Sequence, residues 1–216
     1  MQVKNVMTTG LFLAHPDTPV TEAQAMMRRE HIHRLPVVDR HTKRLVGIVT
    51  EKDLLYASPS PATTLNVYEM NDLLSKLKVS AVMTRDVITV RPDDLVEHAA
   101  RIMVDDDIGG LPVMDNDGFV IGIVTESDIF KLFIDLFGTR ESGIRATLRV
   151  PDEPGKLAKL SADIVSHGGN IISIGTWPGN NPTNVVVVIK VRDMTREQFI
   201  SSVEADTQEV LDLRET

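Results

Sequence analysis

Cysteine is absent from the 216 residues, which excludes a disulfide scaffold, a thiolate zinc site and a cysteine nucleophile. Aromatic residues are scarce at 4%, too few for a platform that stacks single-stranded nucleic acid. Long apolar runs are missing. The longest clean stretch, residues 185–189, is far below the ~18 residues that a membrane helix needs. The opening MQVKNVMTTG holds no apolar signal-peptide core. Positive charge is in deficit, with a formal net charge of −8, which argues against general affinity for DNA, RNA or anionic lipid. Neither a Walker A motif nor GxGxxG occurs. His31-x-His33 is too sparse for a zinc site, Asp105-Asp106-Asp107 reads as a solvated helix end, and Ser166-His167 has no oriented acid for a hydrolase triad. The expectation is a cytoplasmic, non-enzymatic protein with no metal, no required cofactor, and neither nucleic acid nor membrane as partner.

What is present is an internal repeat. Val6-Met7-Thr8, Pro16-Asp17 and Leu35-Pro36-Val37-x-Asp39 reappear 76 residues later as Val82-Met83-Thr84, Pro92-Asp93 and Leu111-Pro112-Val113-x-Asp115. After one deletion, Gly47-Ile48-Val49-Thr50-Glu51 and Asp53 reappear at an offset of 75 as Gly122-Ile123-Val124-Thr125-Glu126 and Asp128. Each copy reads as β-α-β-β-α. Short extended stretches (11–14; 87–90) precede an amphipathic helix with Val20, Ala23, Met26 and Met27, or Val96, Ala99, Ile102 and Met103, on one face. Thr18 is expected to cap the first helix with Pro19 at its first position, and Asp94 with Glu97 to form a capping box on the second. Two strands follow (35–38 with 45–49; 111–114 with 119–124), and a second helix starts at the Thr-Glu pair. One such unit is too small to bury both of its faces, so two copies should pack about a pseudo-twofold axis.

The expected boundaries are 1–57 for the first repeat, 58–77 for a linker with a helix over 67–77, 78–137 for the second repeat, 138–143 for a second linker, and 144–216 for a further domain. In that last part a strand (146–150), a helix marked by Leu157, Leu160 and Ile164, strands at 171–174 and 185–191, a helix capped by Thr195 and Gln198, and a strand at 209–213 read as β-α-β-β-α-β, the ferredoxin-like order. The fold class is α+β.

Thr50 and Asp53, and likewise Thr125 and Asp128, lie on one face of a helix's opening turn. A carboxylate offers two acceptors suited to the vicinal hydroxyls of a ribose, Thr adds a hydroxyl, and the helix end supplies free N–H groups. The same spacing is also what a plain N-cap needs. Residues 28–44 carry six Lys/Arg against Glu30 and Asp39, or +4, whereas the matching 104–119 carry five Asp and no base, or −5. The second copy has Gly109-Gly110 where the first has His33-Arg34. Such charges can serve a phosphate, or simply be solvated ends that attract each other across the repeat. Leu11, Phe12, Ile32 and Pro36 could wall one adenine pocket, and Val87, Ile88, Ile108 and Pro112 the other.

The repeat resembles a tandem pair of CBS motifs over about residues 1–137, through GIVTEKD (47–53), GIVTESD (122–128) and HRLPVVD (33–39). Residues 143–216 resemble an ACT domain through DEPGKLAKL (152–160) and Gly169-Asn170-Ile171-Ile172-Ser173-Ile174. The whole layout is similar to the CBS–ACT proteins of the acetoin-utilisation AcuB type. The resemblance implies that Thr50, Asp53, Thr125 and Asp128 hold the ribose of an adenine nucleoside, that His33 and Arg34 serve phosphate, with Arg34 available to either site, and that the ligand is AMP, ADP, ATP or S-adenosylmethionine. It implies a homodimer, a small amino-acid site at Gly155 and Asn170 in the ACT-like part, and a regulated enzyme in trans. The alternative is a ligand-free scaffold that binds a partner, with Gly155 serving only as turn chemistry.

Overall fold

The computed structural model describes residues 1–57 and 76–216. The linker expected at 58–77 therefore lies outside the described residues except for its last two. The chain forms two compact units, residues 1–129 and 130–216.

In the first unit each repeat is a helix, an antiparallel hairpin and a second helix. The first copy contains α1 (Val20–Glu30), β1 (Arg34–Val38), β2 (Leu45–Thr50) and α2 (Glu51–Tyr56). The second contains α3 (Val96–Asp105), β3 (Gly110–Met114), β4 (Val120–Thr125) and α4 (Glu126–Leu136), whose residues from Phe130 onward belong to the second unit. The hairpins are superimposable in register, with Arg34 opposite Thr50 and Gly110 opposite Thr125. The extended stretches expected at 11–14 and 87–90 shrink to single parallel bridges, Ala14 to Val37 and Val90 to Val113. Pro36 and Pro112 bring no N–H to these edges, so the ladders cannot lengthen there. The expected caps also differ. Pro19, not Thr18, is the N-cap of α1, and the Thr18 hydroxyl instead accepts the His15 N–H at 2.9 Å. Leu95 occupies the N-cap of α3, and Asp94 accepts the Arg91 N–H at 2.7 Å, tightening the preceding turn.

The repeats exchange their leading segments. Val79 N–H donates to the Thr18 carbonyl and Val20 N–H to that of Leu77, so residues 77–79 lie against the first copy. Val79 is fully buried there among Val20, Leu35, Val49 and Leu54. Symmetrically, Val3 N–H donates to Asp94 O and Val96 N–H to Met1 O, and Val3 is buried among Val90, Ala99, Leu111 and Val124 of the second copy. Two further antiparallel bridges, Thr84 to Ile48 and Thr8 to Ile123, carry each leading segment onto the other copy's hairpin. Packing thus crosses the boundary at residue 78 that the repeat pattern alone suggests.

The second unit has β5 (Ile144–Pro151), α5 (Lys156–Ser166), β6 (Asn170–Pro178), β7 (Asn184–Arg192), α6 (Arg196–Val203) and β8 (Glu209–Glu215). The sheet order is β6-β7-β5-β8, with every neighbouring pair antiparallel. This is the expected β-α-β-β-α-β layout. Alternate residues of β5 (Ile144, Ala146, Leu148, Val150) meet Leu160, Ile164, Phe199 and Val203 from the two helices. Thr195 and Gln198 form the expected capping box of α6. On the other face, the buried Lys190 ammonium donates to the Gly138 carbonyl at 2.9 Å. Among the described residues no helix is long and apolar enough to cross a membrane.

Candidate functional site

The Gly-x-x-Thr-x-x-Asp segment runs from the end of β2 into the first turn of α2. Thr50 is the N-cap, with its hydroxyl oxygen accepting the Asp53 N–H at 3.2 Å. Asp53 Oδ2 in turn accepts the Thr50 N–H at 2.8 Å and the Thr50 hydroxyl proton at 2.7 Å. Local capping chemistry therefore sets the aspartate rotamer. It occupies Oδ2 and leaves Oδ1 without a protein partner among the described residues. The structural and ligand-binding readings of this motif are compatible, because one oxygen serves each.

Asp53 and Thr50 line a cavity of about 510 Å³, the size range of small-ligand sites. From the first copy it also takes His33, Arg34, Ile48, Glu51 and Lys52. The opposite wall comes from the second copy: Thr84, Asp86, Val87 and Ile88 on the exchanged leading segment, then Asp107, Ile108, Gly109 and Gly110 before and at the start of β3. The exchange explains this pairing. The bridge from Thr84 to Ile48 delivers residues 84–88 to the strand that ends at Thr50.

Several expected site residues fall elsewhere. Val87, Ile88 and Ile108 wall the Thr50/Asp53 cavity, not a separate one for the second copy's motif. Leu11, Phe12 and Ile32 do not line it: the bridge from Thr8 to Ile123 carries the segment of Leu11 and Phe12 toward β4, the strand that ends at Thr125, and Ile32, in the turn between α1 and β1, packs against the first copy's core. Pro36 and Pro112 are buried within their strands and face no cavity wall. Thr125 and Asp128 repeat the capping geometry, with Asp128 Oδ2 accepting the Thr125 N–H at 3.0 Å and the hydroxyl proton at 2.7 Å, but they do not line this cavity either.

The phosphate-side residues are both present and both engaged. His33 Nδ1 is 2.8 Å from Glu51 Oε2. The half-buried Arg34 reaches across to Gly109-Gly110, where Glu126 also converges. Burial pulls the Arg34 guanidinium below its ordinary pKa, and the Glu126 charge opposes that shift. A Cβ on Gly109 would stand 2.7 Å from Arg34 Nη2 and 2.8 Å from Glu126 Oε2. The two glycines are therefore the room that the crossing guanidinium needs. Ile48, Glu51, Lys52, Thr84, Asp86 and Asp107 complete the lining beyond what the sequence reading named.

In the second unit, Gly155 sits at φ +82° as N-cap of α5, the left-handed conformation that a tight strand-to-helix turn requires. It lines a cavity of about 330 Å³ with Asp152, Lys156, Leu157, Thr176 and Val185. Asn170 does not line it. It opens β6 opposite Arg192, whereas Thr176 lies opposite Val187 farther up the ladder toward Pro178. Gly155 and Asn170 thus occupy opposite ends of the sheet. Among the described residues no group of His, Asp and Glu has the arrangement of a metal site.

The CBS domain family matches residues 3–60 and 79–135. The chain belongs to the CBS-domain family. A TTHA0829-like ACT domain matches residues 142–214. The CBS pair is 39% identical over 132 residues to "CBS domain-containing protein DDB_G0289609" of Dictyostelium discoideum, covering 61% of this chain and 90% of the relative. It is 35% identical to an L-aspartate semialdehyde sulfurtransferase of Methanocaldococcus jannaschii, of which the match spans only 23%. Among solved structures, the CBS pair of protein MJ0100 in complex with 5′-methylthioadenosine and S-adenosyl-L-methionine aligns at TM-score 0.52 and 33% identity, over 65% of this chain and 98% of that one. CBSX2 in complex with AMP aligns at 0.51 and 30%, over 62% and 96%. A putative acetoin utilization protein (AcuB) from Vibrio cholerae aligns at 0.53 and 28%, over 65% and 95%.

Proposed function

We propose that this chain is a regulatory ligand sensor whose CBS pair binds an adenosyl compound of the AMP, ADP, ATP or S-adenosylmethionine class in the Asp53 cavity. The observation that carries the reading is the convergence, in one cavity, of a ribose-competent carboxylate oxygen on Asp53, the Thr50 hydroxyl, and the apolar side chains of Val87, Ile88 and Ile108. Apolar walls with a few fixed polar groups are what an adenosyl group needs. Two CBS-pair structures similar to this chain hold adenosyl ligands, which supports the same ligand class here. Because the cavity is built from both copies, a ligand that binds it stabilises one relative placement of the two hairpins. That bias, on the order of 1–3 kcal/mol for typical coupled sites, would reach the ACT domain, which serves homodimer formation or takes an amino acid near Gly155. The sensor would act in the cytoplasm on an enzyme in trans, with no turnover of its own.

Calorimetric titration of the full chain with ATP, ADP, AMP and S-adenosylmethionine tests the reading. At least one should bind in the micromolar range, and Asp53→Ala should weaken it at least about tenfold. No binding by any of the four, with the chain folded by circular dichroism, would overturn it in favour of a ligand-free scaffold.

A further inference from the structure

The charges around the Asp53 cavity are unbalanced in a way that bears on the ligand's side arm. Its lining holds four carboxylates, on Glu51, Asp53, Asp86 and Asp107, against two permanent cations, on Arg34 and Lys52. The groups expected to take phosphate are already occupied: Glu51 lies on His33, and Glu126 lies beside Arg34. Asp86 and Asp107, by contrast, are exposed and make no hydrogen bond or ion pair among the described residues. Both are also particular to this half of the repeat. The positions that match them in the first copy are Gly10 and His31. Asp107 holds the same left-handed backbone as His31 (φ 53° and 54°), so the same turn presents a carboxylate here where the other copy presents an imidazole.

We propose that Asp86 and Asp107 are specificity-determining residues that make this cavity select an adenosyl ligand with a cationic side arm, such as an adenosyl sulfonium bearing an α-amino group, over an adenosine phosphate. The inference rests on the adenosyl reading above and adds the sign of the arm. The terminal phosphate of AMP brings about −1.5 to −2 charges into a lining that is already net negative, the triphosphate of ATP brings more, and like charges brought together are how a site rejects the wrong ligand. A sulfonium and an ammonium meet Asp86 and Asp107 instead, and Lys52, whose ammonium lies 5.9 Å from the centre of the Tyr56 ring, supplies a cation for the α-carboxylate of such an arm.

The test compares S-adenosylmethionine, 5′-methylthioadenosine, AMP and ATP by calorimetry on the full chain, then repeats the series on the Asp86→Asn/Asp107→Asn double variant. S-adenosylmethionine should bind at least about tenfold more tightly than ATP and more tightly than the neutral thioether. The double variant should weaken the sulfonium and strengthen ATP, leaving 5′-methylthioadenosine within about twofold. If AMP or ATP binds as tightly as S-adenosylmethionine and depends on Asp53, the adenosyl reading stands and the selectivity inference falls. An order of affinities unchanged in the double variant likewise overturns the assignment to these two residues. If none of the four binds, the adenosyl reading itself fails and this inference with it.

Discussion

The Arg34 guanidinium lies in the space that a side chain on Gly110 would need. A Cβ there would meet Arg34 Nη1, with Arg34 Cζ at 3.0 Å and the Val124 carbonyl at 3.1 Å. The sequence had shown this pair as a loss, with Gly-Gly where the first copy has His-Arg. In three dimensions it is a complement: one copy supplies the arginine and the other the room for it.

Gly110→Ala should therefore destabilise the CBS pair by about 1–3 kcal/mol, the usual range for an overpacked site. In an Arg34→Ala background most of that penalty should vanish, leaving the smaller contact with the Val124 carbonyl. Urea denaturation of the two single variants and the double variant gives the coupling directly. Equal penalties in both backgrounds would show that the guanidinium is not the obstacle.

Thr50→Val keeps the shape of the N-cap and removes both of its side-chain hydrogen bonds with Asp53. Loss of a cap costs about 1 kcal/mol. The variant should lose stability by that amount in chemical denaturation. It should also weaken adenosyl binding less than Asp53→Ala does, since the carboxylate remains.

Val79 follows the linker yet is fully buried in the core of the first repeat. Val79→Ala should cost about 1–2 kcal/mol, on the scale of deleted core methyl groups. Hydrogen exchange should speed up first in β1 and β2, not in β3 and β4. Val3→Ala should give the reverse pattern. Faster exchange confined to the copy that contains each residue in sequence would rule out the exchanged packing.

Asp206, buried at the end of α6, accepts hydrogen bonds from Lys156 Nζ at 2.9 Å and Lys159 Nζ at 3.0 Å. These ammonium groups, Lys156 foremost, lower its pKa from 3.8 to about 2. The folded-state value lies below the unfolded one, so the contribution to stability is present above pH 4 and is lost as the pH falls toward 2. Lys159 is open to water, which screens its share, so the contribution is about 1 kcal/mol. Thermal melts of the ACT part between pH 5 and pH 2 should show that Asp206→Asn flattens this segment of the curve. A wild-type slope that survives the substitution would assign the acid sensitivity to other carboxylates.

Much of this architecture is written in short-range pattern. The duplicated hairpins, the β-α-β-β-α-β order of the ACT domain, the capping box of α6 and the Thr50/Asp53 pair all depend on contacts within a few residues, where spacing and propensity suffice. The misread caps at Thr18 and Asp94 show the limit even there, because each side chain found a nearer backbone N–H in its turn. What the sequence alone determined is that two equivalent acidic helix starts exist, one at Asp53 and one at Asp128. Only the tertiary structure decided which apolar wall faces Asp53, that Arg34 crosses to Gly109-Gly110, and that Asp86 and Asp107 join that cavity. The physical reason is the exchange of the leading segments. It pairs residues far apart in the chain through four bridges and two buried valines, and no local periodicity carries that information.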